Sequence, residues 1–152
     1  MPIQDFQTVI VPLAGDDRDI ETVSLACSLY RTKETRRTVI ALRVVEIDRS
    51  LPINADLSQE VNAANAMIED IRQKTMDLFK LNECDFVADV RQARVIGSAI
   101  IEDAEEFKAD LIVMSLKAGQ ELGEYSMGSI VPYVLENAKC RIIVDQESVS
   151  KE

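Results

Sequence analysis

The chain has 152 residues, 47% of them apolar, which suits one domain with a sizeable core and excludes a disordered tail. Lys and Arg number 17 against 27 Asp and Glu, and the resulting net charge of −10 excludes non-specific attraction to nucleic acid or to an anionic membrane. The absence of histidine removes His-based triads, His-ligated zinc and His general bases together.

Residues 8–13 form a short, continuously apolar run, expected to be a buried strand with Pro12 at its C-terminal end, where a missing N–H matters least. Ala14-Gly15-Asp16-Asp17 turns the chain, and Asp16 or Asp17 is expected to cap a helix with Asp19 in its first turn. Ile20, Val23, Cys27 and Tyr30 keep helical spacing to about Lys33, where Arg31 and Lys33 suit the negative end of the dipole. Residues 38–45 are a second buried strand, and 46–57, with Pro52 and Asn54, a flexible connection. Val61, Ala64, Ile68, Ile71, Thr75 and Leu78 repeat at three and four, predicting a helix over 58–82. Residues 86–90 alternate as a third strand. Gly97 precedes a helix with Ile100, Ile101, Ala104 and Phe107 on one face, and 111–114 are a fourth strand. A polar loop over 117–125 holds Gly119 and Gly123, a helix covers 127–138, and a fifth strand covers 141–144.

Short apolar strands alternating with amphipathic helices predict a doubly wound α/β fold: a five-stranded parallel sheet sandwiched by helices. Residues 1–145 form one domain in this reading, and 146–152 a polar tail. Ligands in such folds bind beyond the carboxyl ends of the strands, where strand order reverses. That point is expected between the first and fourth strands, giving a pocket drawn from residues 12–16, 43–44 and 115–130. No apolar run reaches the roughly 20 residues of a membrane span, and the N-terminus lacks the form of a signal peptide. Cys27, Cys84 and Cys140 are odd in number and form no CxxC, so the expectation is a reduced, cytoplasmic domain without disulfides.

The strand ending Val11-Pro12-Leu13-Ala14-Gly15, the strand Leu42-Arg43-Val44-Val45, the run Ala109-Asp110-Leu111-Ile112-Val113-Met114 and the stretch from Met127-Gly128-Ser129-Ile130-Val131 to Ile142-Ile143-Val144 stand in one order and spacing. In these features the chain resembles the universal stress protein family, whose fold is of the adenine nucleotide alpha hydrolase-like type. The resemblance implies a nucleotide site at Pro12, Leu13, Ala14, Val44, Met114, Ser115, Ala118, Gly128, Ser129 and Ile130. Nucleotide-binding relatives carry G-x2-G-x9-G-S/T, whose glycines let backbone N–H groups approach phosphates beside a helix start. Here the pattern is S-x2-A-x9-G-S, with Ser115 and Ala118 at the leading glycine positions. Ala14 stands where such relatives have an aspartate near the base or ribose, and Val44 where backbone meets adenine. A missing charge-assisted hydrogen bond costs about 1.5–3 kcal/mol, and Glu121 and Glu124 oppose a triphosphate. Lys117, Gly119 and Gly123 could offset part of this by a shifted loop register. The resemblance therefore implies no firmly held cofactor, with ATP or AMP as the nucleotides to test.

Other features have plainer readings. Asp16 and Asp17 are read as a helix cap before a metal or acid–base pair. Glu102, Asp103, Glu105 and Glu106 are read as a solvated helix face. Cys140 is read as a small core residue, and Met114 and Met127 as packing. Arg43 is expected to form an ion pair at a strand end, Asp16 being one partner considered. Gly128-Ser129 is equally an anion-holding helix start or a simple cap. No Walker loop, nucleophile elbow or serine–histidine pair occurs, so no catalysis is expected. The expected function is a non-catalytic stress-response or regulatory protein that works by protein contacts. The resemblance implies a homodimer paired through Arg141, Ile142, Ile143 and Val144. An adenine-nucleotide sensor, and a regulatory domain for a membrane transporter, are the alternatives.

Overall fold

A computed structural model describes residues 6–29, 37–79, 84–116 and 127–146. The elements run β1 (Thr8–Pro12), α1 (Arg18–Ser28), β2 (Arg37–Glu46), α2 (Ser58–Phe79), β3 (Cys84–Ala93), α3 (Ile96–Glu106), β4 (Leu111–Leu116), α4 (Met127–Asn137) and β5 (Arg141–Gln146). All pairings are parallel and the strand order is β3-β2-β1-β4-β5. The chain thus winds outward from β1 to β3, then crosses back to place β4 on the other side of β1. The doubly wound sheet and the reversal between β1 and β4 match the sequence expectation.

The continuous apolar character of β1, β2 and β4 follows from burial on both faces. Val9, Val11, Val39, Ala41, Leu111 and Val113 pack with Val23 and Cys27 of α1 and with Ile68 and Ile71 of α2. Ile10, Ile40, Leu42, Ile112 and Met114 pack with Ile100 of α3 and with Ile130, Val131 and Val134 of α4. Burying each such large side chain contributes about 1.5–3 kcal/mol relative to exposure.

Two polar fixings register the sheet at the amino ends of its strands. Asp110 accepts the backbone N–H groups of Gln7 and Thr8 at 3.0 and 2.9 Å, and its own N–H donates to the Thr8 carbonyl at 3.0 Å. Buried Arg37 donates from Nε to the Phe6 carbonyl at 2.8 Å.

Element ends differ from the sequence reading where backbone bonding outruns side-chain pattern. β3 spans ten residues because it pairs with β2 from Arg37↔Cys84 through Glu46↔Ala93, carrying polar positions that show no apolar alternation. α1 stops at Ser28, short of the expected Lys33, because Leu29 leaves helical geometry and its N–H turns back to Ala26. Its last turn holds no basic residue, and Arg31 and Lys33 lie outside the described residues. Gly97 lies within α3 and does not precede it. The expected helix end at 82 also falls outside the described residues.

Candidate functional site

At the carboxyl ends of β1 and β2, next to the β1–β4 reversal of strand order, a cleft of about 340 Å³ opens. The end of β1 supplies Pro12, Leu13 and Ala14; β2 supplies Leu42, Arg43, Val44 and Glu46; α3 supplies Ile96 and Ile100; α4 supplies Ile130. The volume falls in the range of small-ligand sites, and among the described residues the lining is mostly apolar with one cation and one anion.

The β1–α1 loop is held by a side chain that the sequence reading treated only as helix-dipole complement. Asp19 is buried and accepts the N–H groups of Ala14 and Gly15 at 2.7 and 2.8 Å. Its carboxyl is pushed above the ordinary range, burial outweighing the two backbone bonds that favour the charged form. Gly15 takes φ +90°, a left-handed conformation suited to glycine, and a Cβ there would meet Arg43 Nη1 at 3.1 Å. The guanidinium of Arg43 therefore lies against the loop, and its Nη1 donates to the Leu13 carbonyl at 3.2 Å. The expectation is an ion pair at a strand end, with Asp16 one partner considered; among the described residues Arg43 makes this backbone contact instead. Asp16 is taken by Arg18, whose Nη2 lies 2.7 Å away, because two residues of a tight turn bring the groups together. Asp17 occupies the N-cap position of α1 without a side-chain capping bond, and the capping role falls to Asp16, whose Oδ1 accepts the N–H of Arg18, the first helical residue, at 3.0 Å.

Among the expected site residues, Pro12, Leu13, Ala14, Val44 and Ile130 line the cleft together. Met114 and Ser115 are buried inside β4 and do not line it among the described residues. Strand alternation places Ser115 with Leu111 and Val113 on the face turned to α1 and α2, and its buried hydroxyl has no hydrogen-bond partner among the described residues. Ser129 is exposed in the first turn of α4, in which Gly128 also falls. Ala118 lies outside the described residues, as do Lys117, Gly119, Glu121, Gly123 and Glu124.

Leu42, Glu46, Ile96 and Ile100 line the cleft without having been expected there. Period-two extension from Val44 gives Leu42 and Glu46, and Ile96 and Ile100 share a helical face. The missing information was that α3 crosses the end of β2.

The acid-rich segment is only partly a solvated face. Glu102, Glu105 and Glu106 are exposed, but Asp103 is fully buried with Arg91 Nε at 2.5 Å, because α3 presents that position to β3. Cys140 stands just before β5, half-buried beside Ala104, Ala109 and Ala138 in a second hollow of about 160 Å³, and burial pushes its thiol up. Among the described residues no group of three or more His, Cys, Asp or Glu is arranged to hold a metal ion. No helix of the described residues is long and apolar enough to cross a membrane.

Comparison with known proteins fits this geometry. The family model described as the universal stress protein family matches residues 5–145. A universal stress protein of Methanocaldococcus jannaschii is 25% identical over 142 residues, covering 91% of this chain and 81% of that protein. The crystal structure of a universal stress protein in complex with cAMP superposes with a TM-score of 0.67 at 17% identity, covering 94% of this chain and 98% of that one. A universal stress protein family protein from Arabidopsis thaliana with AMP bound gives a TM-score of 0.61 at 12% identity, covering 94% and 93%.

Proposed function

This chain belongs to the universal stress protein family, and from that premise we propose that it is a non-catalytic regulatory protein that acts through protein contacts and does not hold ATP firmly. The observation that carries this reading is the composition of the switch-point cleft. Eight of its ten described lining residues are apolar, Glu46 adds negative charge, and Arg43 is engaged with the Leu13 carbonyl. A triphosphate would have to draw Arg43 from that contact and tolerate Glu46. Ala14 supplies no carboxylate to the base or ribose. Non-catalytic action is supported by the side chains of the cleft, since Glu46 and Arg43 are its ionisable groups among the described residues. An isolated carboxylate without a partnered nucleophile is a poor catalytic constellation.

A second reading is an adenine mononucleotide sensor. It is favoured by the apolar walls of Val44, Ile96, Ile100 and Ile130, which suit a base, and by relatives of this fold described in complex with cAMP and with AMP. One nucleotide phosphate asks less of the cleft than three.

Denaturing extraction of the purified protein with mass spectrometry, followed by calorimetric titration of ATP–Mg²⁺, AMP and cAMP, separates these readings. A blank extract and flat titrations support nucleotide-independent action. Micromolar binding of AMP or cAMP, lost in Ile100→Trp, moves the sensor reading forward. Micromolar ATP binding overturns the first reading.

The partner we propose is a second copy paired through β5. Its residues Ile142, Ile143 and Val144 are half-buried at the edge of the sheet, where unpaired backbone groups favour strand addition. Sedimentation as a strict monomer at micromolar concentration would refute this.

A further inference from the structure

The β3–α3 interface encloses more negative charge than it can neutralise. β3 presents Asp89 and Arg91 to α3, and α3 returns Asp103 and Glu106. Arg91 Nε lies 2.5 Å from Asp103 Oδ1 and 3.7 Å from Asp89 Oδ2, and its Nη2 pairs with Glu106. One guanidinium thus serves three carboxyl groups. Both Asp103 oxygens and Asp89 Oδ2 are buried, and no hydroxyl, amide or backbone donor among the described residues reaches them. The neighbouring elements add no relief. β2 places Leu42 beside Asp89 and Val44 beside Arg91, with Glu46 farther along the same strand. α4 contributes Tyr133 against Gly97, and Lys139 is paired with Glu105 at 3.6 Å on exposed positions.

Asp103 and Asp89 crowd the same Arg91 nitrogen, at 2.5 and 3.7 Å, with buried oxygens that no other donor among the described residues serves. A bond between two carboxyl groups requires a proton, and two ionised carboxylates so close would repel in a dry interface. We propose that Asp103 takes up a proton and directs it at Asp89 across the β3–α3 interface, and that uptake of this proton clamps α3 onto the sheet. The consequence reaches the cleft through the helix itself. Ile100, one turn before Asp103, is a wall of the cleft, as is Ile96 one turn earlier. The clamp is a property of this interface and stands whatever occupies the cleft.

Burial, and then Asp89, push Asp103 from 3.8 up to about 7, with Arg91 opposing. The sign follows from linkage. With the seated carboxyl above its detached value, the seated helix binds the extra proton between about pH 4 and pH 7. The stabilisation is complete below that window, declines as pH rises through it and is gone above pH 7. One linked proton gives at most about tenfold per pH unit.

The test is carboxyl-carbon NMR titration of the intact protein, with native-state amide exchange across α3 at pH 5, 6, 7 and 8. One aspartate carboxyl signal should titrate near pH 7, and disappear in Asp103→Asn. Exchange protection in α3, corrected for intrinsic rates, should fall up to tenfold per unit from pH 5 to 7 and level off by pH 8. Asp103→Asn, which can donate to Asp89 at every pH, should flatten that profile. If Asp103→Asn does not fold, the wild-type titration decides. All aspartates titrating below pH 5, or equal pH profiles in wild type and variant, would overturn the proposal.

Discussion

Gly97 shows how one missing side chain sets a helix contact. A Cβ at Gly97 would stand 2.5 Å from Tyr133 Cδ1, closer than van der Waals contact permits, so α3 and α4 approach there because the position is glycine. Gly97→Ala should lower stability by about 1–3 kcal/mol through overpacking. The same change in a Tyr133→Ala background should be neutral or stabilising, because alanine is the better helix former by about 1 kcal/mol. Urea denaturation of the four proteins of that cycle checks this, and an unaffected Gly97→Ala single variant would contradict the close approach. The residue scale is also where the sequence was hardest to interpret. Pro12, Leu13, Ala14 and Val44 could be placed at the cleft because a strand end is visible as the end of an apolar run. Asp19 looked like dipole complement because its partners, Ala14 and Gly15, are backbone N–H groups with no signature in residue type. Asp103 looked like one carboxylate among exposed ones, since local spacing does not say which face of α3 meets Arg91.

At the scale of elements, strand and helix order were legible, because alternation between apolar runs and helical spacing is a local signal. The length of β3 was not, because it is fixed by pairing with β2, whose neighbour a linear pattern cannot name. α4 carries Pro132 inside its span, where the missing N–H leaves the carbonyl of residue 128 without its helical bond. Pro132→Ala should restore that bond and raise stability by about 1–3 kcal/mol, observed as a Tm increase of several degrees. The proline lies two and three residues after Ile130 and Ser129, so the same variant should change any nucleotide affinity found by calorimetry. An unchanged or lower Tm would mean that the ring's packing outweighs the absent bond.

At the scale of the whole molecule, a net charge of −10 makes any self-association a contest between strand pairing and repulsion. The proposed β5-paired dimer should therefore tighten as salt rises from about 0.01 to 0.15 M, as the Debye length shrinks from about 30 to 8 Å. Sedimentation equilibrium across that range tests it, and weaker association at higher salt would indicate an attractive electrostatic contact instead. The central position of β1 has a different kind of consequence. Its second flank and the Asp110 carboxylate that ties down Gln7 and Thr8 arrive 102 and 103 residues later in the chain. At about 5–20 residues per second, a nascent chain carries the first strand for roughly 5–20 s with one side bare. During that interval Val9, Ile10 and Val11 present an open apolar edge to the translating cell. The first strand of this domain is thus among the last to be flanked on both sides, and the interval of synthesis is when its apolar edge is open to wrong partners.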